Sequence, residues 1–124
     1  MDPPSATPTT TGGTAPCHGA DTGLGDARRD EYLALVSGAL EGVESSSVGI
    51  VRFMAIGAWS VVLATTPVAD PGWFVFESTD GRNQFKDVWA GMAVEDDRPG
   101  LVQWATALGA PKDFSTCFAE TILN

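Results

Sequence analysis

The sequence predicts a single α+β domain, with an N-terminal helix packed on a four-stranded antiparallel meander and one or two short C-terminal helices after it. The meander rests on the stretch from Ser47 to Ala93. There, four short runs rich in Val, Ile, Phe, Trp and Thr are separated by three turn signals, and three of the four tryptophans fall within it. The helices rest on apolar residues that recur at steps of three and four on both sides of that stretch.

Residues 2–16 (DPPSATPTTTGGTAP) hold almost nothing apolar, too little to offset the entropy of ordering them. Residues 1–23 therefore read as a flexible tether and residues 24–124 as the domain. Helix one is expected from Asp26 to Gly42. Asp26 suits the N-cap, Asp30 and Glu31 suit the positive end of the helix dipole, and Leu33, Val36, Leu40 and Val43 define an apolar face. The strands are expected at Val48–Ala55, Trp59–Thr66, Trp73–Ser78 and from Asn83 or Gln84 to Ala90. Gly57-Ala58, Asp70-Pro71-Gly72 and Asp80-Gly81 are the turn signals, Pro fixing one φ and Gly supplying a positive one. Pro67 has no N–H to donate and ends strand two.

Alternation within the strands is imperfect. Val51, Phe53 and Ala55 are expected on one side of strand one, and Val48, Ile50 and Met54 on the other with Arg52. In strand four Phe85 and Trp89 oppose Gln84 and Lys86, with Val88 on the polar side. Middle strands apolar on both faces must be covered on both, or leave a groove or an interface open. Beyond them, a helix begins near Pro99 and stops at Gly109, with Leu101, Trp104, Ala105 and Leu108 on one face. Asp113 can cap a last helix that aligns Phe114, Cys117, Phe118, Thr121 and Ile122; a closing strand competes for this segment.

Acidic residues outnumber basic ones 16 to 7, for a net charge of −9, and the basic residues are scattered. That balance argues against nucleic acid and against an anionic membrane surface as partners. No run approaches the roughly 18 apolar residues that would span a bilayer. Met1-Asp2-Pro3-Pro4 has neither a basic start nor an apolar run, so an export signal is expected to lie outside this chain. Cys17 and Cys117 fit a disulfide, two free thiols or two half-used metal ligands. The disulfide is the favoured reading; it would close a loop of about 100 residues and contribute up to about 5 kcal/mol in the chain-entropy model. Such a bond belongs to an oxidising compartment, so a secreted or cell-envelope location is expected.

Candidate chemistry is sparse. Cys17-His18 pairs a thiol with an imidazole, but adjacent residues seldom face one ion, and there is no second His to complete a ligand set. Glu95, Asp96 and Asp97 lack the alternating rhythm of a calcium loop and are explained by helix capping. No metal and no cofactor is therefore expected. Trp59, Trp73 and Trp89 can form an aromatic platform for sugar rings or a partner protein, although tryptophans in a small sheet more often build the core. If any one of them is exposed, Trp73, which follows a turn, is the one. Asp87, with Glu77, is the strand carboxylate that could serve an acid–base pair inside a pocket.

From Asp26 to Ala93 the order of helix and antiparallel meander resembles helix-on-curved-sheet domains of the cystatin and NTF2 kind. The Q-x-V-x-G inhibitor motif of cystatins is not found, so the resemblance implies a layout and not protease inhibition. The Thr/Pro-rich start, the excess of Arg over Lys and the Gly57-Ala58-Trp59 opening of strand two look like small exported or lipid-anchored domains of GC-rich bacteria. The expected function is a non-enzymatic extracytoplasmic binding or protein-interaction module. It would use an aromatic sheet face or groove, with Trp59, Trp73, Trp89 and Asp87 at the ligand. The alternative is a cone-shaped ligand pocket or enzyme lined by the meander. A third reading pairs the two-faced sheet with a copy of itself as a homodimer.

Overall fold

A computed structural model describes residues 17–67, 69–91 and 93–123. The tether expected over residues 1–23 lies mostly outside that range. In chain order the elements are α1 (Asp26–Ala39), β1 (Gly49–Ile56), β2 (Trp59–Thr66), β3 (Ala69–Thr79), β4 (Arg82–Ala90), α2 (Arg98–Ala107) and α3 (Lys112–Leu123). The strands form one antiparallel sheet in the order β1-β2-β3-β4. This is the predicted α+β layout, and the C-terminal segment is helix, not strand.

Local chemistry sets the turns. Asp80 and Gly81 both take positive φ (54° and 79°), the backbone a two-residue hairpin needs to match strand twist. Asp70-Pro71-Gly72 does not make the turn expected of it. The β2–β3 connection falls earlier, at Pro67, and residues 69–72 extend β3 beside a bulge between Ala64 and Thr66. A bulge leaves a residue unpaired, so a proline without an N–H can sit in the strand. Gly72 serves close approach instead of turning: a Cβ there would come within 2.9 Å of a Val88 methyl.

Helices cover both faces of the sheet. On one face, Tyr32 and Val36 of α1 bury Ile50, Phe53, Val62, Ala64, Phe74 and Phe76. On the other, Leu101 and Ala105 of α2 and Phe114, Cys117 and Phe118 of α3 bury Met54, Trp59, Val61, Trp73 and Val75. The apolar middle strands are thus covered on both sides by helices of the same chain.

Two bulges explain the imperfect alternation. In β1, Ile50 pairs with Ala64 but Arg52 with Leu63, so Val51 is left over and lies exposed. The residues after it change parity: Ile50, Phe53 and Ala55 share the α1 face, correcting the expectation that grouped Val51 with Phe53 and Ile50 with Met54. In β4 the register shifts between Val75–Asp87 and Phe76–Phe85, leaving Lys86 over. Val88 thereby reaches the α1 face opposite Phe74 and is no exception to the pattern. Both bulges lie on edge strands, where they disrupt the row of unpaired backbone groups that would otherwise template pairing with another chain.

The segment before α1 is tied down three ways. The Cys17 and Cys117 sulfurs lie at bonding distance, 2.07 Å, with Cα atoms 4.7 Å apart. Asp21 exchanges two backbone hydrogen bonds with Ala55 on the outer edge of β1 (2.8 and 2.9 Å). The Asp21 carboxylate also accepts from the Arg28 guanidinium at 2.9 Å.

Candidate functional site

β2, β3 and β4 place Leu63, Trp73 and Trp89 in one cross-strand row on the face covered by α2 and α3. Four candidate side chains, Trp59, Trp73, Trp89 and Asp87, therefore share one side of the sheet, but the helices close most of it. Trp59 is buried against Phe114, ring centroids 5.8 Å apart, with Gly109 packed over its far edge. Trp89 stands edge-on to Trp104 at 5.6 Å, and Trp104 stacks on Phe118 at 5.4 Å. Together with Phe114 these rings run in one connected series from Trp89 to Trp59. The platform of tryptophans expected from the sequence is core here, not open surface. Trp73 is 7 % exposed, so the most accessible of the three is Trp89.

The cover fails at one end. Between the last turn of α3 and the start of β3 lies a cleft of about 540 Å³. Trp73, Leu63 and Pro71 form its sheet side, Ile122 its helix side, and Gly91 and Ala93, just after β4, its outer rim. Asp70 supplies a carboxylate. The volume falls in the range of ordinary small-molecule sites, and apolar walls with few polar groups are their usual composition. Of the candidate residues, the cleft recruits Trp73 directly. Trp89 lies beside it in register, whereas Trp59 belongs to the opposite end of the layer.

The carboxylates that could have served an acid–base pair are occupied elsewhere. Asp87 accepts from the backbone N–H of Val88 at 2.8 Å. Glu77 pairs with Lys86 at 3.6 Å, and the Lys86 ammonium lies 5.8 Å from the Trp59 ring. Neither carboxylate lines the cleft.

A smaller polar recess of about 210 Å³ opens at the β1–β2 hairpin. Its floor is a buried hydroxyl pair, Tyr32 and Ser60, 2.7 Å apart, and its rim an Asn83 amide donating to Glu31 at 2.8 Å. Burial raises the Tyr32 pKa above its usual 10, the hydrogen bond to Ser60 opposing the shift. Tyr32 is thus a neutral phenol at ordinary pH. A phenol cannot take the Ser60 proton, so the pair braces α1 against β2 and does not activate a nucleophile.

Metal chemistry finds no support among the described residues, where no three His, Cys, Asp or Glu side chains cluster. Glu95 is paired with Arg98, which also reaches Glu120 at 2.9 Å, and Asp97 accepts from the Val94 N–H at 2.9 Å. The acidic run is therefore a capping and tethering device. No described helix is long and apolar enough to cross a membrane.

No family model, curated protein or solved structure matches this chain. Function must be argued from the cleft alone. Asp70, Pro71, Ala93 and Ile122 were not legible as site residues. Asp70 and Pro71 read as a turn, and Ile122 as helix filler. Only the pairing of β3 with its neighbours and the angle of α3 bring them together.

Proposed function

We propose that this chain is a non-enzymatic binding module whose ligand site is the cleft between the last turn of α3 and the end of the sheet. The observation that carries the reading is an apolar recess of small-molecule size, walled by Trp73, Leu63, Pro71 and Ile122, in a layer otherwise filled by aromatic rings. Burying a ligand there would gain about 25 cal/mol for each Å² of apolar surface removed from water. An enzymatic reading is less well supported, because Asp87 and Glu77 do not face the cleft and no nucleophile–base pair lines it.

An extracytoplasmic setting belongs to the same proposal. Its supports are the two sulfurs at bonding distance, of a kind reducing compartments do not favour, and the Pro/Thr/Gly/Ser-rich sequence ahead of Cys17. The acidic balance of the chain adds that its partners are neutral or cationic.

The test is a nuclear magnetic resonance screen with a panel of apolar and amphipathic small molecules. Binding should move the Trp73 indole signal and the amides of Gly91, Ala93 and Ile122 together. Ala93→Trp, placed at the rim outside every helix and strand, should abolish those shifts while the spectrum stays folded. Shifts confined to Tyr32, Ser60 and Asn83 would transfer the site to the polar recess and overturn the proposal.

A further inference from the structure

We propose that the cleft selects a cationic amphiphile, an apolar chain or ring carrying an ammonium group, with Asp70 receiving the charge. This deepens the binding reading above and depends on it. Asp70 lines the cleft beside Trp73, and its carboxylate makes no hydrogen bond or ion pair among the described residues. The carboxylates Asp21, Glu77 and Glu95 are each matched to a basic side chain, and what sets Asp70 apart from the other carboxylates without one is its place in the cleft. An unmatched carboxylate next to an indole is the pairing that recognises ammonium, one group by charge and the other by the negative face of its ring.

Two further features act in the same direction. Ile122 lies in the last turn of α3, a twelve-residue helix with no basic residue in that turn. The negative end of its dipole borders the cleft, and Arg52 from β1 meets part of it. The net charge of −9 adds a long-range potential that draws cations toward the surface. Arg52 is the cation close by. Its guanidinium stands 5.9 Å from the Trp73 ring and donates to the Thr121 carbonyl at 2.9 Å, so it is held at the end of α3 and does not line the cleft. Arg52 thus already meets the Trp73 ring and the end of α3, which leaves Asp70 as the group that receives a ligand's charge. A carboxylate-headed amphiphile would set like charge against Asp70 and the helix terminus. A neutral one would gain only its apolar burial.

Octyltrimethylammonium, 1-octanol and octanoate share a chain length and differ in head charge. Titrated below micellar concentrations at low salt into the oxidised full chain, the ammonium should bind roughly tenfold more tightly than the alcohol, with octanoate weakest. Asp70→Asn should remove most of that advantage and leave octanol affinity unchanged; Asp70 is exposed, so the variant keeps its fold. Equal affinity for ammonium and alcohol, or an advantage that survives Asp70→Asn, overturns the charge selection while leaving the cleft as an apolar site. If none of the three moves the Trp73, Ala93 and Ile122 signals, the binding reading itself falls and the selection with it.

Discussion

Tyr32 is the chain's single tyrosine, and its hydroxyl meets Ser60 on the α1-covered face, near the β1–β2 hairpin. Because burial raises its pKa, the unfolded chain releases the phenol proton at lower pH than the folded one. Stability should therefore be complete below about pH 10 and fall as pH rises through the folded value. An absorbance titration reads this residue alone. It should show phenolate appearing later in native than in denatured protein, and Tyr32→Phe should remove that stretch of alkaline destabilisation. The same substitution leaves the Ser60 hydroxyl buried without its partner, which should lower unfolding free energy by about 1–2 kcal/mol in urea. Adding Ser60→Ala should recover part of that loss, since the orphaned hydroxyl then disappears; a double variant weaker than the single would contradict the bracing role. None of this was visible in the sequence. Tyr32 lay beside the predicted apolar face, and Ser60 looked like an ordinary polar strand residue.

At the scale of elements, order was legible because it depends on local signals, whereas α1 stops at Ala39 and not Gly42, and β3 begins at Ala69 and not Trp73. Asp80-Gly81, Pro67 and the three-and-four spacing of α1 each act within a few residues. Facing was not legible past Val51 and Lys86, because a bulge is a property of pairing: one residue opposes none, and every later side chain changes side. The contrast can be measured. Phe53→Ala should cost about 3 kcal/mol or more in equilibrium unfolding, whereas Val51→Ala, two positions earlier, should stay within about 0.5 kcal/mol. A large loss at Val51 would mean the bulge is misplaced. The bond between Cys17 and α3 is also an element-scale device, closing a loop with a sequence separation of 100. Reduction should lower stability by roughly 2–5 kcal/mol, read as a lower urea midpoint. Amide exchange at Ala55 should accelerate with it, because that amide donates to the segment the bond retains.

The whole molecule is three layers, with one sheet between two sets of helices. Its composition announced that arrangement only as a conditional, since apolar middle strands demand cover without saying what provides it. With both faces covered from within, the expected outcome of a light-scattering measurement is the mass of one chain, 13.0 kDa. A dimer in dilute solution would instead assign a partner to an edge strand or to the cleft. Of the candidate residues read from the sequence, Trp73 alone lines the cleft, and it does so as a buried wall. Under mechanical load the covalent link between Cys17 and α3 has another consequence. The sheet, α1 and α2 all lie inside the covalent ring, and only the stretches before Cys17 and after Cys117 lie outside it. Tension applied between the two ends passes through the sulfur–sulfur bond and does not reach the strands. Stretched in an optical trap, the oxidised chain should lengthen only by its tails. The reduced chain should release the length of the ring in one step.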